Sequence, residues 1–146
     1  MRYSYDVNRE IRTQLSKYNA FKSKLQNIHE RLEEIEQFTG VQSVKYDQQQ
    51  NGNVRDSKGS IYAKQIELKE KLLEEQCELT YTIENIEAAL DSLRKNPNDK
   101  LIKVIEMRYF DNMNVSKICE AIYIDKSTFY RYESKAFDII RAYMPL

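Results

Sequence analysis

The sequence predicts an all-α protein, built as a long antiparallel coiled-coil hairpin of two helices and a C-terminal head of three short helices. The first observation is composition: 32% of the 146 residues are charged, and only three are glycine and two proline, as in long charged helices. The second is a pair of long stretches in which apolar residues recur at steps of three and four. The third is Asn96-Pro97-Asn98, which separates those stretches from three shorter helical patterns.

Apolar residues spaced by heptads predict the first long helix, over residues 6–38. One position of the repeat holds Ile11, Tyr18, Leu25 and Leu32, and the other holds Val7, Gln14, Phe21, Ile28 and Ile35, with glutamine as the polar exception. Four heptads of this quality are typical of a coiled coil or a helix bundle. Gly40 follows the last apolar residue closely enough to mark the end of the helix.

A polar stretch and a second long helix complete the predicted arm, which covers residues 1–96. The residues at about 40–60 are polar and lack a period, which predicts a flexible loop. Apolar residues then predict the second helix over residues 61–95: Ile61, Leu68, Leu72, Leu79, Ile83, Ile86, Leu90 and Leu93. Two helices of similar length joined by a loop suggest an antiparallel hairpin. Their narrow apolar stripes leave room for a second copy, so we expect a homodimer.

Residues 97–146 are predicted to form a helix-turn-helix head. Pro97 disfavours helix at the residue before it and suits the first turn of the next helix, which places the boundary between arm and head there. Three helical patterns follow: about Asn98 to Phe110, Val115 to Ile122 after the N-cap Asn114, and Lys126 to about Tyr143 after the N-cap Asp125. A short helix, a three-residue turn and a longer helix form the helix-turn-helix plan. We expect Cys119 at the helix crossing and Phe129 in the core.

The start of the third head helix is the predicted DNA-contacting surface. Its candidate residues have hydroxyl or cationic side chains: Lys126, Ser127, Thr128, Tyr130, Arg131 and Lys135. Such side chains at a helix N-terminus suit phosphate and base-edge contacts in a major groove. We expect Arg131 to read a guanine edge and Lys126 to contact a phosphate. Residues 126–141 hold four Lys or Arg against two Asp or Glu, although the whole chain has a net charge of zero.

Residues 107–141 read MRYFDNMNVSKICEAIYIDKSTFYRYESKAFDIIR and resemble the region-4 helix-turn-helix of sigma factors. Ile118-Cys119 stands where that family has an apolar residue and alanine, and Tyr123 stands where the turn often has glycine. The whole chain, with its long helical N-terminal part and polar central loop, is similar to the RinA/ArpU-type regulators of phages of Gram-positive bacteria. The resemblance implies a transcription regulator that switches on late or packaging genes in a bacterial host.

The residue inventory argues against an enzyme, a metal site or a cofactor. His29 is the sole histidine, no cluster of cysteine and histidine could hold zinc, and no pair of nucleophile and base can be nominated. The chain has no apolar run long enough to cross a membrane, and its N-terminus lacks the apolar segment of a secretory signal. We therefore expect a cytoplasmic protein with no membrane partner, in which Cys77 and Cys119 are reduced and packed as small apolar residues.

The leading functional hypothesis is sequence-specific binding of double-stranded DNA with transcription activation, as a homodimer formed through the arm and in contact with host RNA polymerase. Two alternatives stay open. A small-terminase-like subunit that recognises DNA for packaging also joins a helix-turn-helix to coiled-coil oligomerisation. A protein-interaction module that binds no DNA would contact RNA polymerase or its sigma factor through the arm.

Overall fold

A computed structural model describes residues 2–48 and 56–144, with side chains described over 8–38 and 60–144. Within these ranges every regular element is helical and no strand occurs, which confirms the all-α prediction. The elements are α1 (Arg2–Gln48), α2 (Asp56–Arg94), α3 (Lys100–Ile105), a π-helical turn (Glu106–Phe110), α4 (Val115–Ile122) and α5 (Lys126–Arg141).

Both long helices extend into the stretch predicted as a loop. α1 passes through Gly40 and ends at Gln48, and α2 begins at Asp56 and includes Gly59. The predictions that Gly40 stops the first helix and that the loop fills all of about 40–60 are therefore wrong. One glycine costs a helix interior only about 1 kcal/mol relative to alanine, and no proline stands nearby to remove a backbone donor. The remaining predicted loop residues, 49–55, lie outside the described residues.

The chain divides into two compact units, and the long helices contribute to both of them. The first unit consists of residues 1–21 and 81–146, and the second consists of residues 22–80. The unit that contains the three head helices thus also contains the first part of α1 and the last part of α2. That residues 97–146 act as a separate DNA-binding domain stays a prediction.

In the second unit, α1 and α2 run antiparallel and bury part of the predicted apolar stripes. Gln76 Nε2 lies 2.9 Å from His29 Nδ1, and Lys69 Nζ lies 3.9 Å from Glu36 Oε1. The contact residue on α1 thus moves seven positions forward, from 29 to 36, while its partner on α2 moves seven positions back, from 76 to 69, as in an antiparallel pair. Among the side chains described in this unit, the buried core consists of Ile28, Ile35 and Leu72. Leu32, Leu68 and Leu79 are half-buried and pack against it.

Two residues of α2 in this unit depart from the predicted packing. Ile61 is 50% exposed. Helical spacing predicted which face of α2 this residue lies on, but spacing cannot predict whether another part of the chain covers that face. Cys77 is exposed, whereas residue type alone predicted burial. It lies five residues after the buried Leu72, which is about 140° around the helix, so it points away from the apolar stripe.

In the first unit, α4 packs with parts of α3 and α5 in an apolar cluster. Its buried members are Val104, Ile118, Cys119, Ile122 and Phe129, with Met107, Met113, Val115, Ile124 and Tyr132 packed against them. Cys119 and Phe129 therefore occupy the core positions predicted for them. Complete burial of a side chain such as that of Phe129 stabilises a fold by about 1.5–3 kcal/mol.

The beginning of α1 belongs to the same unit and packs more broadly than a heptad requires. Ile11 and Leu15 are completely buried, whereas Gln14, at the heptad position, is only half-buried. Residues of this segment also contact the head: the Tyr18 ring lies 4.9 Å from the Phe110 ring between centroids. A helix with neighbours on several sides buries a wider face than the narrow seam of a two-helix coiled coil, and this explains the burial of Leu15.

A π-helical turn ends the helix that begins as α3. The backbone N–H of Asp111 donates to the carbonyl oxygen of Glu106 at 3.0 Å, five residues back, where an α-helix would use the fourth. The sequence pattern predicted one regular helix here and did not indicate the wider turn. Two of its residues, Arg108 and Tyr109, donate hydrogen bonds to α5.

Candidate nucleic-acid interface

The two ends of α4 determine where the chain turns toward α5. Asn114 Oδ1 accepts a hydrogen bond from the Lys117 N–H at 2.8 Å, which confirms the predicted N-cap. Tyr123 follows the helix in the left-handed conformation (φ 58°, ψ 52°). The Ile124 N–H then returns to the Cys119 carbonyl oxygen at 3.1 Å. A turn of three residues, 123–125, therefore joins α4 to α5, as the sequence predicted.

Asp125 caps the N-terminus of α5. Its backbone is extended, and its Oδ1 accepts hydrogen bonds from the Thr128 N–H at 2.7 Å and from the Ser127 hydroxyl at 3.0 Å. The hydrogen bonds from Thr128, and then the one from Ser127, hold the pKa of the Asp125 carboxyl below its usual value, because they favour the charged form. The first residue of α5 is therefore fixed, and with it the direction of every side chain that follows.

Apolar side chains on one face of α5 anchor this helix in the first unit. Phe129, Ala136, Phe137 and Ile140 are buried, which confirms the core position predicted for Phe129. The opposite face carries exposed residues at steps of four, three and four, which keep them on one side of a helix: Ser127, Arg131, Ser134 and Asp138. Burial of the first face leaves the second one in solvent, where a ligand can reach it.

The predicted DNA-contacting residues lie in the first turns of α5 and on its exposed side. Thr128 is half-buried and the other five are exposed: Lys126, Ser127, Tyr130, Arg131 and Lys135. Two of these residues are in contact, since Arg131 Nη2 donates to Thr128 Oγ1 at 3.5 Å. The Tyr130 ring meets the Phe129 ring edge-on, with centroids 5.2 Å apart. Sequence reasoning missed Ser134, which the three-residue step from Arg131 could have indicated.

The exposed side of α5 is locally cationic. Lys126, Arg131 and Lys135 are exposed there, whereas of the two carboxylates of the helix only Asp138 reaches solvent. That carboxylate lies 3.7 Å from Arg141 Nη1. By sequence, the first unit holds 14 Lys or Arg against 12 Asp or Glu, and the second holds 9 against 11. The unit that carries α5 is therefore the slightly positive half of a neutral chain.

The other carboxylate of α5, that of Glu133, is buried among three donors. Only 2% of Glu133 is exposed. Arg108 Nη1 and the Tyr109 hydroxyl donate to its Oε2, the latter at 3.1 Å, and Arg12 Nη2 donates to its Oε1 at 3.5 Å. Burial, and then the negative charge of Glu133, raise the pKa of Tyr109 well above its usual value.

These contacts tie α5 to the π-helical turn and to the first part of α1. A buried carboxylate costs several kcal/mol unless donors replace the water that it loses, so the network holds α5 against both neighbours only while its donors remain in place. Sequence reasoning missed it. The available signal was Glu133 itself, which lies four residues after Phe129 and four before Phe137, on the apolar stripe of α5.

Within the described parts of the chain, no group of three or more His, Cys, Asp or Glu side chains could hold a metal ion. None of the helices described there is both long and apolar enough to cross a membrane. His29 is exposed, and its ring lies against the Gln76 side chain.

Comparison with known proteins assigns the chain to a family. No curated protein and no solved structure matches it. A protein family matches residues 40–140, which include all of α2, α3 and α4 and all but the last residue of α5. The match therefore covers well over half of the chain, and the candidate interface lies within it. The chain belongs to the family described as "Protein of unknown function (DUF1492)".

Proposed function

We propose that this chain is a non-enzymatic, sequence-specific DNA-binding protein that regulates transcription, with α5 as the helix that enters the major groove. We further propose that residues 97–146 form a helix-turn-helix like that of sigma-factor region 4. Residues 1–96 are then a coiled-coil arm that joins two copies. The resemblance to RinA/ArpU-type regulators adds phage genes as the target, activation as the effect and host RNA polymerase as a partner in the bacterial cytoplasm.

The observation that supports this proposal most is the pairing of a buried and an exposed face on α5. A reading helix must be held rigidly by its own protein while it offers polar side chains to base edges. Phe129 and Ile140 are completely buried, whereas Arg131 and Ser134 are exposed on the other side. The short α4 and the three-residue turn before α5 have the lengths of a helix-turn-helix.

The residues of the exposed face divide by chemistry into two roles. The Arg131 guanidinium has the planar fork that matches the O6 and N7 atoms of guanine, so we assign it to base reading. Lys126 is the first residue of α5, where the positive end of the helix dipole also favours an anion, so we assign it to a phosphate. Ser127 and Ser134 share the face of Arg131 and can donate to or accept from either kind of group.

The near-zero net charge of the chain predicts weak non-specific binding to DNA. Non-specific affinity for DNA comes almost entirely from cations that neutralise phosphates, and the first unit has an excess of only two. Binding to random duplex should therefore be weak, and the contacts of Arg131 should account for a large share of specific affinity. A dimer would double those contacts on a two-fold symmetric site. Helix-turn-helix domains that bind DNA weakly as single copies usually gain affinity in this way.

Fluorescence anisotropy with two labelled duplexes tests the proposal. One duplex has a random sequence, and the other is enriched from a random pool by repeated binding to the protein. Lys126→Ala should weaken binding to both and lower the slope of log affinity against log salt by about one. Arg131→Ala should cost about 1–3 kcal/mol on the enriched duplex and relax the base preference at one position.

Lys103→Ala is the matched control, because Lys103 is an exposed lysine of the same unit that lies on α3, 3.6 Å from Asp99. It should bind both duplexes like the parent. If Lys126→Ala and Arg131→Ala also bind like the parent, α5 is not the reading helix. A parent protein that binds no duplex would favour the protein-interaction module, and a closed ring of many copies in native mass spectrometry would favour the packaging subunit.

A further inference from the structure

The turn between α4 and α5 holds a residue whose type is unexpected for its backbone. Two non-glycine residues of the described chain have positive φ, Asn112 at 55° and Tyr123 at 58°. Asparagine adopts the left-handed conformation readily, because its short polar side chain can hydrogen-bond locally. Tyrosine has no such compensation, and its Cβ crowds the backbone there. The same head thus fills one left-handed position with a tolerant residue and the other with an intolerant one.

Packing does not explain the tyrosine. The side chain of Tyr123 is 90% exposed, so almost none of its apolar surface leaves water. The hydrogen bonds that shape the turn come from main-chain atoms, since the N–H groups of Tyr123 and Ile124 both reach the Cys119 carbonyl oxygen. Glycine or asparagine would provide the same N–H groups with less strain. Folding stability alone therefore favours another residue at position 123.

The ring also stands at a particular place. Tyr123 comes two residues before the cap Asp125 and three before Lys126, so it lies at the end of α5 that the proposed function directs into the groove. A neutral phenol can donate its O–H to a phosphate oxygen while its ring packs on a sugar. Backbone strain at an exposed residue beside a binding surface is the pattern expected where a side chain serves a ligand and not the fold.

We propose that Tyr123 contacts the DNA backbone, with its hydroxyl on a phosphate and its ring on the adjoining sugar, next to the phosphate held by Lys126. This inference rests on the proposed function and adds a contact that fixes the register of α5. Because tyrosine is neutral, the contact releases no counterion, so it adds affinity for random and specific duplexes without adding to the salt slope.

Tyr123→Asn separates this role from a structural one, because asparagine suits the left-handed backbone but cannot reach as far. The variant should melt at the parent temperature or up to about 4 °C above it. Its affinity for both the random and the enriched duplex should fall about 3- to 10-fold, as for the loss of one hydrogen bond. The salt slope should equal that of the parent, in contrast with Lys126→Ala.

Tyr143→Asn is the matched control, since it removes another exposed tyrosine beyond the far end of α5, and it should bind like the parent. Parent-like binding by Tyr123→Asn would overturn the inference and leave the proposed function standing. A lower melting temperature that accounts for the loss of binding would also overturn it, because Tyr123 would then serve the fold. A parent protein that binds neither duplex would remove both the function and the contact.

Discussion

The buried carboxylate of Glu133 should make the stability of the first unit depend unequally on its donors. Arg108→Met and Arg12→Met each remove one guanidinium but keep an apolar stem in its place, so that loss of charge is separated from loss of packing. The stem matters for Arg108, whose guanidinium carbon lies 5.4 Å from the centroid of the Phe129 ring. Glu133→Gln removes the charge at the centre and keeps one acceptor oxygen.

The three variants should differ because the donors differ in distance and exposure. Removal of one partner from a fully buried ion pair costs about 3–5 kcal/mol. The Arg108 side chain is 29% exposed and Glu133 would keep two other donors, so we expect Arg108→Met to cost about 2 kcal/mol. The Arg12 side chain is 42% exposed and its nitrogen lies 3.5 Å from the carboxylate, which gives about 0.5 kcal/mol. Glu133→Gln should cost about 1–2 kcal/mol.

Urea denaturation followed by circular dichroism measures these differences, provided that the dependence of unfolding free energy on urea keeps the parent slope. The double variant Arg108→Met with Glu133→Gln should be less destabilised than the two single changes together, by about 1 kcal/mol, because each removes the same interaction. Equal costs for Arg108→Met and Arg12→Met would refute the ranking by distance and exposure. A Glu133→Gln variant as stable as the parent would show that the charge of Glu133 contributes nothing to the fold.

Two further predictions concern the second unit and the start of α5. Ile28→Asp places an unpaired carboxylate in the buried core of the second unit and should lower the free energy of unfolding, measured by urea denaturation, by at least about 3 kcal/mol. Ile61→Asp changes an exposed residue of the predicted apolar stripe of α2 and should change that free energy by less than about 0.5 kcal/mol. Asp125→Ala should lower the melting temperature at neutral pH. Because the pKa of Asp125 is depressed in the folded chain, the carboxylate contributes its full stabilisation above the unfolded pKa of about 4 and loses it as pH falls through the folded pKa. The melting temperatures of parent and variant should therefore converge in acid. A difference that persists there would contradict the capping role.

Local rules predicted the elements of this fold well because they concern neighbours in sequence. The N-caps Asn114 and Asp125 follow from residue type at the start of an apolar pattern, and both accept the expected backbone hydrogen bond. The core position of Phe129 follows from helical spacing. The length of the turn at 123–125 follows from the sequence, because the apolar stripe of α4 ends at Ile122 and the cap of α5 is Asp125. Each of these features is decided within a few residues of the chain.

The features that sequence reasoning missed are decided by distant partners. The spacing of Glu133 places it on the apolar face of α5, but only a fold that brings Arg12 and Arg108 to that face makes burial of the carboxylate acceptable. Likewise, Gly40 does not end α1, since a helix continues through one unfavourable residue when the residues on both sides favour it. Of the candidate interface, the exposed residues of α5 could be predicted from helical period alone. The strain at Tyr123 was indicated by its position, where the turn of the resembled family often has glycine, and its φ is indeed positive.

The way in which the first unit is assembled from both parts of the chain has a consequence for folding. Arg141 Nη2 donates to Asn8 Oδ1 at 2.7 Å across 133 residues of sequence, and Arg12 reaches Glu133 across 121. Because such contacts close long loops, we expect them to form later than the core of the second unit, which joins residues that are closer in sequence. During synthesis, the beginning of α1 leaves the ribosome long before α5 exists. In newly made chains, the beginning of α1, with its apolar residues Ile11 and Leu15, therefore has to wait without its contacts to α5 until α5 has been synthesised.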